Sequence, residues 1–191
     1  MNLIDTSHIP IILIAGVVVY TVVTYNGLVQ LKNNVAKAWS NISVLLKQRY
    51  DEIPNLVRIC EAYMKHERAT LEKVIQARSL REQAEGPEQQ AKASNSLSSA
   101  LSSLFAVSEN YPQLKADANF RQLQACISEL EDQIADRREF YNESVTVYNV
   151  HIQKFPDSVV AASFNFSMAH LWKINPLHRE NTRVFISAGR T

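Results

Sequence analysis

NGLVQLKNNVAKAWSNISVLLKQRYDEIPNL, residues Asn26 to Leu56, joins an apolar N-terminal segment to everything that follows. Its apolar positions Leu28, Leu31, Val35, Ala38, Ile42 and Leu45 advance by threes and fours, and Lys32, Lys37 and Lys47 fall off that seam. Such spacing lays one apolar stripe along one face of a helix, and the stripe has to bury itself against other helices. Asp51 offers an N-cap oxygen, while Pro54 removes a donor and pushes Ile53 away from helical geometry. A hairpin turn is the first reading of this spot, and a continuous helix kinked at Pro54 is the alternative.

Toward the N-terminus, Ile9 to Tyr25 (IPIILIAGVVVYTVVTY) carries no charge and is rich in β-branched residues. As a helix it spans roughly 25 Å, slightly short of a hydrocarbon core, with Tyr20 and Tyr25 suited to an interface. The competing readings are a cleaved signal peptide and a buried core helix. A signal peptide starts basic and ends in a small-x-small site, whereas MNLIDTSH holds no Lys or Arg and the segment runs straight into the Leu28 seam. A retained anchor is therefore expected. Asp5 precedes it and Lys32, Lys37, Lys47 and Arg49 follow it, which puts the N-terminus outside and the large domain in the cytoplasm.

The chain has 191 residues, enough for one domain with a core plus an appendage, and its 4 glycines amid abundant Ala, Leu, Gln and Glu favour helix. A net charge of +1 leaves no electrostatic footprint for nucleic acid, which is not expected as a partner. The 2 cysteines, Cys60 and Cys126, lie beside helical seams as apolar fillers and make neither a disulfide framework nor a metal site.

Downstream, Asn55 to Gln83 reads as a second helix with Leu56, Ile59, Tyr63, Val74 and Ala77 inward, stopped by Gly86-Pro87. The third, about Glu88 to Ser108, buries Leu97, Leu101, Leu104 and Phe105, and its many serines permit close approach. After a capped turn, the fourth carries Phe120, Leu123, Ile127, Leu130, Ile134, Arg137, Tyr141, Val145, Tyr148, Ile152 and Phe155. The expected fold is all-α, an N-terminal transmembrane helix followed by an antiparallel four-helix bundle with a long fourth helix. Residues 1–8 are then a short lead, 9–25 the anchor, 26–155 the bundle, and 156–191 an apolar and aromatic segment with a polar tail. If the bundle returns to the membrane near Arg137, the fourth helix outlasts it by roughly 27 Å. From about Tyr141 the chain must bend along the membrane or pack beside the anchor. The following segment, with Phe164, Phe166, Trp172 and Lys173, either contacts the interface or a partner, or caps the open end of the bundle.

The run from Tyr25 to Val57, the His66-Glu67 pair, AVSENYPQLKADANFRQLQ (Ala106 to Gln124) and YNESVTVYNVHIQKFP (Tyr141 to Pro156) together resemble the LemA family. The resemblance covers nearly the whole chain after the anchor. It implies a bacterial single-pass protein of the inner membrane with a helical-bundle domain and no established enzymatic activity. One branch of the family is associated with forming magnetosome membranes. After Pro156 the family tends toward an A-G--F-G-F pattern, where this chain has Ala162 and Asn165; Asn tolerates left-handed backbone well enough to keep the geometry at its position.

No motif supplies a catalytic centre, cofactor or metal site. His66-Glu67-Arg68-Ala69-Thr70 starts like a zincin helix, but Thr70 stands where the second histidine is needed. None of the 5 histidines has Glu three residues before it, as a di-iron bundle requires, and the glycines are too scattered for a phosphate-binding loop. Arg49, His66, Glu67, Glu131 and Arg137 are the polar residues on the seams, expected as a buried cluster that fixes register, with a partner or headgroup groove as the alternative. Two functions follow. One is a non-catalytic scaffold or adaptor recruiting a protein partner at the membrane; the other is a membrane-organising protein acting through homo-oligomerisation and lipid contact by its C-terminal segment.

Overall fold

The computed structural model describes residues 9–173, so the expected lead at 1–8 and the polar tail from Asn175 lie outside the described residues. Every regular element in that span is helical: α1 Ile9–Tyr63, α2 Arg68–Ser79, α3 Gly86–Ser108, the short α4 Pro112–Ala116, α5 Ala118–Gln153 and α6 Asp157–Ser163.

The hairpin expected at Asp51–Pro54 is not there. Instead α1 runs unbroken through Pro54 for 55 residues, roughly 82 Å. Proline inside a helix orphans the carbonyl four residues earlier, here that of Tyr50. Arg78 of α2 supplies the missing donor, its Nε reaching the Tyr50 carbonyl at 3.4 Å. Asp51 does not cap a new helix but pairs with Lys47 on the same surface at 2.6 Å. The chain reverses later, through Met64 to Glu67, where the Glu67 amide donates to the Met64 carbonyl at 3.0 Å. The second expected helix is thereby shared between the end of α1 and α2.

Helices α1 and α5 lie antiparallel along most of their length. From the far end toward the N-terminus, Tyr63 meets Asp117, Arg49 meets Glu131 and Trp39 meets Tyr141; past the end of α5, Tyr20 meets Asp157 of α6. As one number falls the other rises nearly residue for residue, so the pair keeps one register throughout. Asp117 fixes the far end: its carboxylate accepts from the amides of Asn119 and Phe120 at 2.8 and 3.0 Å, capping α5, and from the Tyr63 hydroxyl at 3.0 Å. The main core gathers Ile42, Leu46, Ile53, Leu56 and Cys60 of α1, Val74 of α2, Leu97 and Leu104 of α3, and Phe120 and Ile127 of α5. Burial pushes the Cys60 thiol up to about 12, which makes it a filler and not a nucleophile.

Past the level expected for the end of the bundle, α5 continues to Gln153 beside α1, where Tyr148 and Ile152 form a second apolar cluster with Leu28, Val160 and Ala161. The chain turns at Phe155-Pro156, a cis peptide, into α6. Asn165, with φ 56°, ends α6 in left-handed backbone, as its place in the sequence pattern suggests. The Phe166 amide donates to the Ala161 carbonyl at 2.9 Å and the Asn165 amide to the Ala162 carbonyl at 3.3 Å. That double closure is a Schellman motif, and it sends the chain back along α5.

Candidate functional site

Two polar constructions line α5 at different heights. In the middle, Arg49 is fully buried. Its Nη1 donates to Glu131 and, at 2.9 Å, to the Ser98 hydroxyl, while Nη2 donates to the Ser94 hydroxyl at 2.7 Å. Ser98 also reaches both Glu131 oxygens at 3.0 Å. A charge taken out of water needs this density of partners. The result joins α1, α3 and α5 in one network.

Of the five residues expected as a buried cluster, only Arg49 and Glu131 come together. His66 is exposed in the turn after α1, and Glu67 beside it accepts from the Tyr111 hydroxyl at 3.0 Å. Arg137 is exposed and stands corrected, because the inward seam of α5 steps from Ile134 to Tyr141 past Arg138 instead. Arg138 is half-buried; desolvation pulls its guanidinium below the ordinary value while Glu131 works in the opposite direction.

Nearer the N-terminus of α1, the segment after α6 is held by a repeat in α5. Tyr141-Asn142 recurs seven residues on as Tyr148-Asn149. The Tyr148 hydroxyl donates to the Ser167 carbonyl and the Tyr141 hydroxyl to the His170 carbonyl, both at 2.9 Å. The Asn149 side chain accepts from the Ala169 amide and donates to the Ala169 carbonyl, both at 2.9 Å. The Asn142 side chain does the same to Trp172, at 2.8 and 3.1 Å. Each rung therefore advances three residues along the strap and seven along the helix. Seven helical residues rise about 10.5 Å and three extended ones about 10 Å, so the two chains stay in step. Asn95 of α3 adds a third clamp, accepting from the Trp172 indole at 3.1 Å and donating to the Lys173 carbonyl at 3.0 Å.

This strap decides where the expected contact residues lie. Trp172 is only 3% exposed, packed on Trp39 at 5.8 Å between ring centroids, so an outward role for it is corrected. Its ring is claimed by the core because Asn142 fixes its backbone facing inward. Phe166 is half-buried against Tyr25, with the Lys32 ammonium 5.9 Å from its ring centre. Lys173 is exposed, and Phe164 is 51% exposed with its ring 4.8 Å from that of Tyr25. Below them, the Asp157 carboxylate accepts from the Tyr20 hydroxyl at 2.7 Å and lies 3.3 Å from His151 Nδ1. The sequence marks Ser94 and Ser98 as spacers for close approach and not as partners of Arg49, and it does not single out Arg138, Asn142 or Asn149; the heptad repeat of Tyr-Asn is the available signal for the last two.

Among the described residues no group of three or more His, Cys, Asp or Glu is arranged to hold a metal ion. The N-terminal part of α1 is long and apolar enough to cross a membrane, and nearly all of it is exposed. Among the described residues these features define an all-helical protein with one helix long and apolar enough to cross a membrane. The chain belongs to the LemA family, whose sequence model matches residues 38–185. It is 35% identical over 77 residues to magnetosome protein MamQ 2 of Paramagnetospirillum magneticum, and equally to magnetosome protein MamQ 1 of that organism. It is 31% identical over 77 residues to magnetosome protein MamQ of Magnetospirillum gryphiswaldense. Each match covers 40% of this chain and 28% of the relative, so the shared stretch is under a third of those proteins' length.

Proposed function

We propose that this protein is a non-catalytic scaffold of the bacterial inner membrane, crossing it once through the start of α1 and carrying an antiparallel four-helix bundle on the cytoplasmic side. The observation that supports it is the unbroken α1, whose exposed apolar start and buried core face belong to one rigid rod of 55 residues. A rod of that kind fixes the height and orientation of the body over the bilayer, which is what presenting a surface to other proteins requires. Lys32, Lys37 and Lys47 after the span favour the cytoplasmic orientation. Cross-linking in cells, followed by mass spectrometry of the full-length protein against a fragment ending at Tyr25, tests it. Reproducible partners of the full chain that the fragment lacks are the expected result. Self-cross-links and lipid alone would overturn recruitment.

A second reading, membrane organisation through self-association and lipid contact, is favoured by the exposed aromatic turn at the level of Tyr20 and by the names of the magnetosome relatives.

A further inference from the structure

The turn between α5 and the strap exposes more apolar surface than folding explains. Phe155 is 77% exposed, Val159 59% and Phe164 51%, although the same turn buries Val160 and Ala161 against α1 and α5. The chain spends its inward-facing residues on the core and still turns three large apolar side chains outward. From Ser158 to Trp172 it carries no Asp, Glu, Lys or Arg. Asp157, the one carboxylate on α6, is engaged by Tyr20 and His151.

The height of this turn says what covers it. Asp157 fixes α6 at Tyr20, and the Phe164 ring rests on Tyr25. Yet the apolar start of α1 needs its whole length to Tyr25 to approach the thickness of a hydrocarbon core. The turn therefore overlaps the last roughly 7 Å of the span. On that side α6 and the Phe164 ring lie against α1 at this depth, and Phe155 and Val159 are exposed on the same turn. Lys154 immediately precedes the turn in sequence and Lys32 stands 5.9 Å from the Phe166 ring centre, as cations do at a headgroup boundary.

We infer that Phe155, Val159 and Phe164 form a one-sided collar that inserts into the interfacial layer of the bilayer beside the anchor, with lipid acyl chains as its ligand. The collar rests on the membrane-anchored reading given above and adds a second, lateral lipid contact to it. It sits on one flank of α1 only, so it occupies area in one leaflet and none in the other. The ladder of Tyr-Asn rungs and the Tyr20–Asp157 hydrogen bond hold it rigidly against the rod.

The test places a fluorescent reporter on the collar of the full-length protein in phosphatidylcholine–phosphatidylglycerol vesicles. Phe155→Trp and Val159→Trp are compared with Val44→Trp, which is also on an exposed site but about 36 Å further along α1. The expected result is that lipid brominated near the headgroup end of its acyl chains quenches most of the added emission of the two collar variants and none of that of Val44→Trp. Acrylamide in the water should show the reverse order, by several fold. Equal acrylamide quenching at all three sites, with the protein still pelleting with vesicles, would overturn the collar and leave anchoring intact. Protein that washes off the vesicles would overturn both.

Discussion

Helix α5 is held to α1 and α3 by charge in its middle and to the strap by neutral amides and hydroxyls toward its C-terminus, and the two solutions differ in what they recognise. At Arg49 and Glu131 side chain meets side chain, so the network specifies which helices meet and at what height. At Asn142 and Asn149 side chain meets backbone, so the rungs read the direction and spacing of the strap and are blind to most of its side chains. The first arrangement fails when one partner is lost, because a buried guanidinium is left with too few acceptors. The second loses a few hydrogen bonds of ordinary strength, each worth about 1 kcal/mol. Helix α5 thus combines a brittle centre with a graded grip toward its C-terminus.

The sharpest way to break that contrast is Glu131→Ala. It should lower stability by about 3 kcal/mol, read from chemical denaturation of the full-length protein in detergent, whereas Arg49→Met combined with Glu131→Leu should recover most of the loss. A single variant no worse than the double one would show that the centre is not brittle. Next in size, Asn149→Ala, which removes two rung hydrogen bonds, should cost about 2 kcal/mol. Its diagnostic is local: amide exchange at Ala169 should become fast while the helix around Ile127 to Ile134 stays protected. Uniform loss of protection would mean that the strap and the helices unfold as one unit.

The smallest effect is expected at the far end of the seam. Hydrogen bonds from the Phe120 amide and then the Tyr63 hydroxyl hold the Asp117 carboxyl below the ordinary aspartate value. A depressed carboxylate contributes its stability above its unfolded pKa and loses it as pH falls through the folded one. Melting temperature should therefore drop on the acid side, and Asp117→Asn, which can still cap α5, should flatten that limb while changing little at neutral pH.

Most helix faces were legible because apolar periodicity is a local property. Leu28, Ala38, Ile42, Leu97, Leu101, Leu104, Ile127 and Tyr141 are buried as their spacing requires. At Pro54 the alternative of a continuous helix holds over the hairpin, because proline's penalty is local but its remedy, Arg78, comes from another helix. The real reversal at Met64 to Glu67 contains neither Gly nor Pro, so nothing in its composition announces it. Arg137 was placed inward by continuing a seam across a step where the helix shifts by one residue to Arg138. The strap was opaque for a different reason. Its partner groups are its own amides and carbonyls, and backbone leaves no signature in residue identity. Trp172 looked like an interfacial aromatic for the same reason, since its inward direction is imposed by Asn142 and Asn95.

A helix of about 82 Å that passes without a joint from its apolar start into the body is also a lever. With that start in a bilayer, as proposed above, a change in tilt of about 10°, well within the range that such segments adopt as lipid thickness varies, sweeps its far end sideways by about 14 Å. The proposal thereby makes membrane thickness a determinant of the lateral position of Tyr63 and the turn that follows it.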